Sequence, residues 1–161
     1  MQIENPVIHY VNQLSPQTGL EGKFSFQYTV ASALLDGRIS MDTFNDEKLR
    51  RPEVQTLLAN TQLTMNPDIP ANFEEMWTAV RVQMQDGAEY SARCDRPRGI
   101  WGHPLTREEH LVKVRSCAAR VLPDDDVAAL IEIVEDLDQA TTQDVQELVE
   151  ILAHSPAPQA G

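Results

Sequence analysis

The sequence predicts an α+β fold, a small antiparallel sheet with a hairpin flanked by helices. Three observations predict it. Apolar residues recur at helical spacing over 24–36 and again in three segments after Thr106. Residues 76–84 alternate with period two and run into Asp86-Gly87, a pair suited to joining hairpin strands. The strand-like and helix-like segments are grouped along the chain rather than alternating, which favours α+β over a doubly wound sheet.

In chain order, residues 1–22 hold two prolines and two glycines with little periodicity and read as an N-terminal arm, although Val7, Ile8, Tyr10 and Val11 could form one short strand or helical turn. Over 24–36, Phe24, Tyr28, Ala31 and Leu35 follow helical spacing, as do Val30 and Leu34, so this helix is expected to be buried. Gly37 suits the left-handed position that ends it. A second helix lies within 45–60, with Pro52 in its first turn and Val54, Leu57 and Leu58 as its stripe. Leu63 and Met65 alternate with Thr64 in a short strand. Met76, Thr78, Val80, Val82 and Met84 share one face of the next, with Trp77, Ala79, Arg81 and Gln83 on the other. Asp86-Gly87 is expected to form a two-residue turn, and 88–94 returns as the partner strand. The segment 95–105, with two prolines and two glycines, is a loop.

Thr106-Arg107-Glu108-Glu109 has the pattern of a capping box and opens a helix to about Val121, with Leu111, Val114, Ala118 and Val121 apolar. The next helix, over 124–137, has Val127, Leu130, Ile131, Val134 and Leu137 as its stripe. Thr141 to Asp144 repeats the capping pattern before a last helix bearing Val145, Leu148, Val149 and Leu152. Residues 155–161, small and Pro-containing, form a flexible tail.

A chain of 161 residues with 42% hydrophobic and 24% charged residues can bury a core without disulfides or metals. No apolar run approaches the length of a membrane span, and the N-terminus has no basic and apolar leader, so a cytoplasmic location is expected. Cys94 and Cys117 are expected to be reduced thiols. The net charge of −12 is uneven: residues 121–161 hold ten Asp and Glu and no Lys or Arg, while all 13 basic residues lie in the first 120. This argues against nucleic acid or an anionic membrane as partner. The acidic end is either a solvated helix face or a docking surface for a basic partner.

Candidate chemistry is sparse. His9, His103, His110 and His154 are far apart and show no metal-ligand spacing, so no metal is expected. No nucleophile elbow or phosphate-binding glycine loop is present. Cys117, beside Ala118 on an amphipathic helix, reads as a buried thiol. Cys94, near Arg93 and Arg96, could have a lowered pKa but has no identified base. Two segments stand out. In Gly22-Lys23-Phe24-Ser25-Phe26-Gln27-Tyr28, a helix start with Lys23, Ser25 and Tyr28 can cradle a carboxylate; alternatively the aromatics are core and Lys23 is at the surface. The stretch 93–104 gathers three arginines, Trp101 and His103. It is either an anion-contacting or interface loop or an exposed hairpin exit anchored by Trp101.

At these residues the chain resembles a known family. Lys23-Phe24-Ser25-Phe26-Gln27-Tyr28-Thr29-Val30-Ala31, followed by Ala33-Leu34-Leu35-Asp36-Gly37, is similar to the K/R-F-S-x-x-Y-x-x-A-x-A-L-L-D-G stretch of the MmgE/PrpD family. The likeness continues through Arg51-Pro52-Glu53-Val54, Asp86-Gly87 and Gly102-His103-Pro104-Leu105-Thr106, covering residues 15–150. The resemblance implies the C-terminal portion only: a lid-like α+β domain over 23–105, and helices over 106–154 that pack on it or on a partner. It implies dehydratase, decarboxylase or epimerase chemistry on small di- and tricarboxylates by proton abstraction α to a carboxylate, with no cofactor. Tyr28 matches the tyrosine that the family's lid contributes to the active-site cleft and is the catalytic candidate here, and Lys23 and Ser25 belong to the same motif as substrate-binding candidates. The family's catalytic Asp, Lys and most of its His residues have no counterpart here. The expected partners are therefore a second copy in a homodimer or a helical subunit of the family's N-terminal type, together with the carboxylate substrate. Two alternatives remain: a non-catalytic oligomerisation or interaction module, and an autonomous enzyme with a new site at 93–103.

Overall fold

A computed structural model describes residues 1–5, 13–70, 72 and 74–153. The chain divides into two compact units, Met1–Pro104 and Leu105–Gly161.

The first unit is built on a four-stranded sheet. Its strands are β1 (Gln2–Asn5), β2 (Gln62–Met65), β3 (Thr78–Gln83) and β4 (Glu89–Cys94), in the order β2-β1-β3-β4. β1 pairs parallel with β2 and antiparallel with β3, and β3 pairs antiparallel with β4. The sheet is therefore mixed, where an antiparallel one was expected. The chain's first residues, read as an arm, supply an interior strand whose Ile3 faces Leu63 and Val80 across the two ladders and is fully buried. The candidate strand residues Val7, Ile8, Tyr10 and Val11 lie outside the described residues. The parallel pairing needs a long crossover, and the helices between Asn5 and Gln62 provide it. The β3–β4 hairpin closes through three residues, Gln85, Asp86 and Gly87, rather than two. Met84 N donates to Ala88 O (2.8 Å), Gly87 N donates to Met84 O (3.1 Å), and Gly87 sits at φ 89° where a side chain would be strained.

The crossover carries α1 (Gly19–Gly22), α2 (Phe26–Asp36), a 3₁₀ turn (Met41–Thr43), α3 (Asp46–Leu49) and α4 (Pro52–Ala59). Gly37 ends α2 at φ 72°, with its amide on the Ala33 carbonyl, and Pro52 occupies the first turn of α4. The small core here is Tyr28, Leu49 and Val54, with Phe44 and Leu58 against it. α2 is less buried than expected. Its inner face is Gln27, Tyr28, Ala31 and Ser32, while Leu34 and Leu35 are largely exposed.

The second unit contains α5 (Arg107–Ala118), α6 (Asp124–Glu135), a 3₁₀ turn (Leu137–Gln139) and α7 (Thr142–Ala153). Both capping boxes form: Thr106 with Glu109 and Thr141 with Asp144 exchange side chain and backbone bonds. The core is Leu111, Leu122, Val127, Ile131 and Ile151. α5 ends three residues early, so Leu122 rather than Val121 turns inward. On α7 the buried residue is Ile151, and the predicted stripe residues Val145, Val149 and Leu152 face outward. Apolar residues at 145, 148, 149, 151 and 152 span a wide arc, and periodicity alone does not say which edge meets a neighbour.

Candidate functional site

α2 begins at Phe26, two residues after the start that helical spacing suggested. Ser25 is extended, and its Oγ accepts from the Tyr28 amide at 3.2 Å, capping the helix. The Tyr28 ring lies against Gly22, where an added Cβ would be 2.7 Å from the ring's Cδ1. Phe44 meets the ring edge-on, with centroids 6.2 Å apart. The Tyr28 hydroxyl donates to the Thr43 carbonyl in a short hydrogen bond. Burial raises the phenol's pKa above its usual 10, partly offset by the nearby Ser32 hydroxyl and Arg51. Tyr28 therefore stays protonated near neutrality and can act as a donor, not as a base.

Of the three residues singled out by motif, Ser25 and Tyr28 are buried and already engaged within the chain. Lys23 is exposed, with its ammonium 5.9 Å from the Phe44 ring centroid. Two polar groups on the same face of α2, Gln27 Oε1 and Ser32 Oγ, are buried without a well-formed hydrogen bond to the protein. Such atoms are uncommon in folded chains. Ser32 lies close enough to the phenol to affect its titration, but not in hydrogen-bond geometry.

The structure joins two further motif pieces that sequence reasoning left separate. Arg51 grips Asp36 bidentately, Nη1–Oδ1 at 2.7 Å and Nη2–Oδ2 at 2.9 Å, and Lys48 lies 3.9 Å from the same carboxylate. The Arg51 hydrogen bonds hold Asp36 below the usual carboxylate range and raise Arg51 in turn. This pair ties the C-terminal end of α2 to the start of α4. The signal for it was the paired presence of Leu35-Asp36-Gly37 and Arg51-Pro52, which no spacing rule connects.

The loop after β4 is braced by its own backbone. Gly99 N donates to His103 O (2.8 Å), His103 N donates to Ile100 O (3.0 Å), and the His103 ring lies 3.2 Å from Pro97 O. Gly99 and Gly102 hold φ values of 86° and 76°. Trp101, considered as an anchor, is instead fully exposed at the tip of this turn. An arginine of this stretch rests instead on Trp77, with the Arg93 guanidinium 4.1 Å from its ring centroid, and Arg93 also pairs with Asp95. Cys117 is exposed rather than buried, because the inner face of α5 runs through Leu111, Val114 and Ala118. Cys94 is exposed too. Among the described residues no group of three or more His, Cys, Asp or Glu side chains is placed to hold a metal, and no helix is long and apolar enough to cross a membrane. His9 and His154 lie outside the described residues.

Among the described residues the α2 region brings together hydroxyl donors, the Lys23, Lys48 and Arg51 cations, and one carboxylate, Asp36, which Arg51 and Lys48 already hold. The family model for the MmgE/PrpD C-terminal domain matches residues 1–139. The cis-aconitate decarboxylases of mouse and human are each 35% identical over 133 residues, which is 83% of this chain but 27% and 28% of theirs. The chain thus spans about a quarter of the length of the curated relatives it matches. On the strength of the family match and these relatives, the chain belongs to the MmgE/PrpD family, of which it carries the C-terminal domain.

Proposed function

We propose that this chain supplies the lid side of a cytoplasmic, cofactor-independent MmgE/PrpD-type enzyme acting on small di- or tricarboxylates, and that a separate helical portion completes it. Decarboxylation of a cis-aconitate-like substrate is the favoured reaction. The observation that carries this is the match of residues 1–139 to the family's C-terminal domain, together with the 35% identity to cis-aconitate decarboxylases over 133 residues, about a quarter of their length. Loss of CO₂ or of a proton α to a carboxylate leaves negative charge on the substrate, which positioned donors and cations stabilise. Tyr28, held protonated, is the proton or hydrogen-bond donor; Lys23, which is exposed, faces a substrate carboxylate, and Ser25, buried at the helix start, reaches it only if the same rearrangement that frees the phenol uncovers it. For the phenol to reach a substrate, its hydroxyl must leave the Thr43 carbonyl, so docking of the helical portion has to reshape the 3₁₀ turn at Met41–Thr43.

The test is turnover of cis-aconitate by the chain alone and by the chain mixed with a helical family partner. Activity is expected only in the mixture, and Tyr28→Phe there should lower kcat by about 10²-fold or more with KM little changed. One observation favours a second reading, a non-catalytic interaction module: the Ser25 and Tyr28 side chains both make intrachain contacts that suffice to explain them. Under it, Tyr28→Phe weakens the fold and leaves turnover of any complex unchanged.

A further inference from the structure

The Tyr28 hydroxyl gives its proton to the Thr43 carbonyl. A phenol that donates one hydrogen bond can still accept another at its oxygen. One turn further along α2, on the same buried face, Ser32 has the complementary need. Its side chain is fully buried, and its Oγ makes no well-formed hydrogen bond to the protein, not even the common one back to the carbonyl four residues earlier. Residues four apart on a helix lie one above the other. Burial is the main influence raising the phenol's pKa, and Ser32 is the first of those that oppose it. A buried hydroxyl without a partner costs stability. Alanine would fill this helical position with higher propensity and no such cost.

The need sharpens when the phenol loses its proton. A phenolate cannot stay against the Thr43 carbonyl, because both groups are then acceptors. It has to turn to a donor, and Ser32 is a buried one on the same face of the helix. The nearby charges are the Arg51 guanidinium, which favours the phenolate, and the Asp36 carboxylate, which opposes it. These two are bonded to each other, with Lys48 at the same carboxylate, so neither acts as a free charge. The Lys23 ammonium lies over Phe44, the ring packed on Tyr28.

We propose that Ser32 is a positioning residue for Tyr28: its hydroxyl donates to the Tyr28 oxygen once that oxygen has left the Thr43 carbonyl, and so prepares the phenol to give up its proton. For its part in catalysis this rests on the lid reading and deepens it. There the Tyr28 O–H bond breaks as a C–H bond forms at the substrate carbon that has lost CO₂. The negative charge passes to the Tyr28 oxygen, Ser32 bonds to it, and a proton from solvent restores the phenol.

The first measurement uses the 161-residue chain without a partner. Tyr10→Phe and Tyr90→Phe leave Tyr28 as the sole tyrosine. A ring-fluorinated tyrosine at that position brings its titration into a milder pH range, where fluorine NMR follows it. Ser32→Ala should raise the midpoint by about one pH unit, the worth of one hydrogen bond to a charged group. Ser32→Thr, which keeps the hydroxyl, should titrate near wild type. Ser32→Ala should also melt at a higher temperature than wild type, because it removes an unpartnered buried hydroxyl; a hydroxyl kept for the fold would give the opposite sign. The second measurement is turnover of cis-aconitate in the mixture with a helical family partner, where Ser32→Ala should lower kcat by about tenfold with KM little changed. An unmoved midpoint in Ser32→Ala overturns the inference. So does a lower melting temperature, or full turnover by Ser32→Ala where Tyr28→Phe abolishes it. Turnover indifferent to Tyr28→Phe overturns the lid reading and with it Ser32's part in catalysis, while the midpoint still decides the contact between the two side chains.

Discussion

Tyr28 is held at three points, by its amide on Ser25, its ring between Gly22 and Phe44, and its hydroxyl on the Thr43 carbonyl. Removing the hydroxyl leaves a buried carbonyl without its donor, which costs about 1–3 kcal/mol. Tyr28→Phe should therefore lower unfolding free energy by that amount in urea titrations, and unchanged stability would show that the bond adds nothing. Asp36 makes a prediction in pH. Its carboxyl is held below the usual range by Arg51, so the pair's stabilisation is fully present above the unfolded-state value of about 4 and is lost as pH falls through the lower folded value. Wild type should melt above Asp36→Asn near neutrality, with the gap closing as the solution is acidified below about pH 4. A gap independent of pH would mean that the charge is not what holds α4. The family motif around Tyr28 was legible from residue types alone. Its partners were not: both Thr43 and Arg51 are 15 residues from the groups they bind, across turns whose course no local pattern specifies.

At the scale of elements, the caps were the most legible features, because a cap is decided within four residues. Thr106 with Glu109, Thr141 with Asp144, Pro52 at a helix start and Gly37 at a helix end all form as their local chemistry requires. β1 was illegible for the opposite reason. It has four residues, one of them strongly apolar, and exists through pairing with strands about 60 and 77 positions away in the chain. Ile3 is fully buried, so Ile3→Ala should cost about 2–5 kcal/mol by thermal or chemical unfolding. A cost near zero would mean that the N-terminal strand is dispensable to the sheet. The same contrast holds for α7, where the apolar arc was visible in sequence but Ile151, not the Val145–Val149–Leu152 edge, turns to the core.

For the whole molecule, the separation of strands from the later helices and the charge asymmetry were both evident in the sequence, and the two units Met1–Pro104 and Leu105–Gly161 follow the same order. Membership in the MmgE/PrpD family was visible in one motif and is carried by the match over residues 1–139. Under the lid proposal that portion brings donors to a carboxylate substrate, and a completed assembly carries out catalysis. The most direct measurement is CO₂ release from cis-aconitate by the purified chain, with and without a helical partner from the family. No release from the chain alone and turnover on adding the partner are predicted. Enzymatic turnover by the 161-residue chain unaided would contradict it.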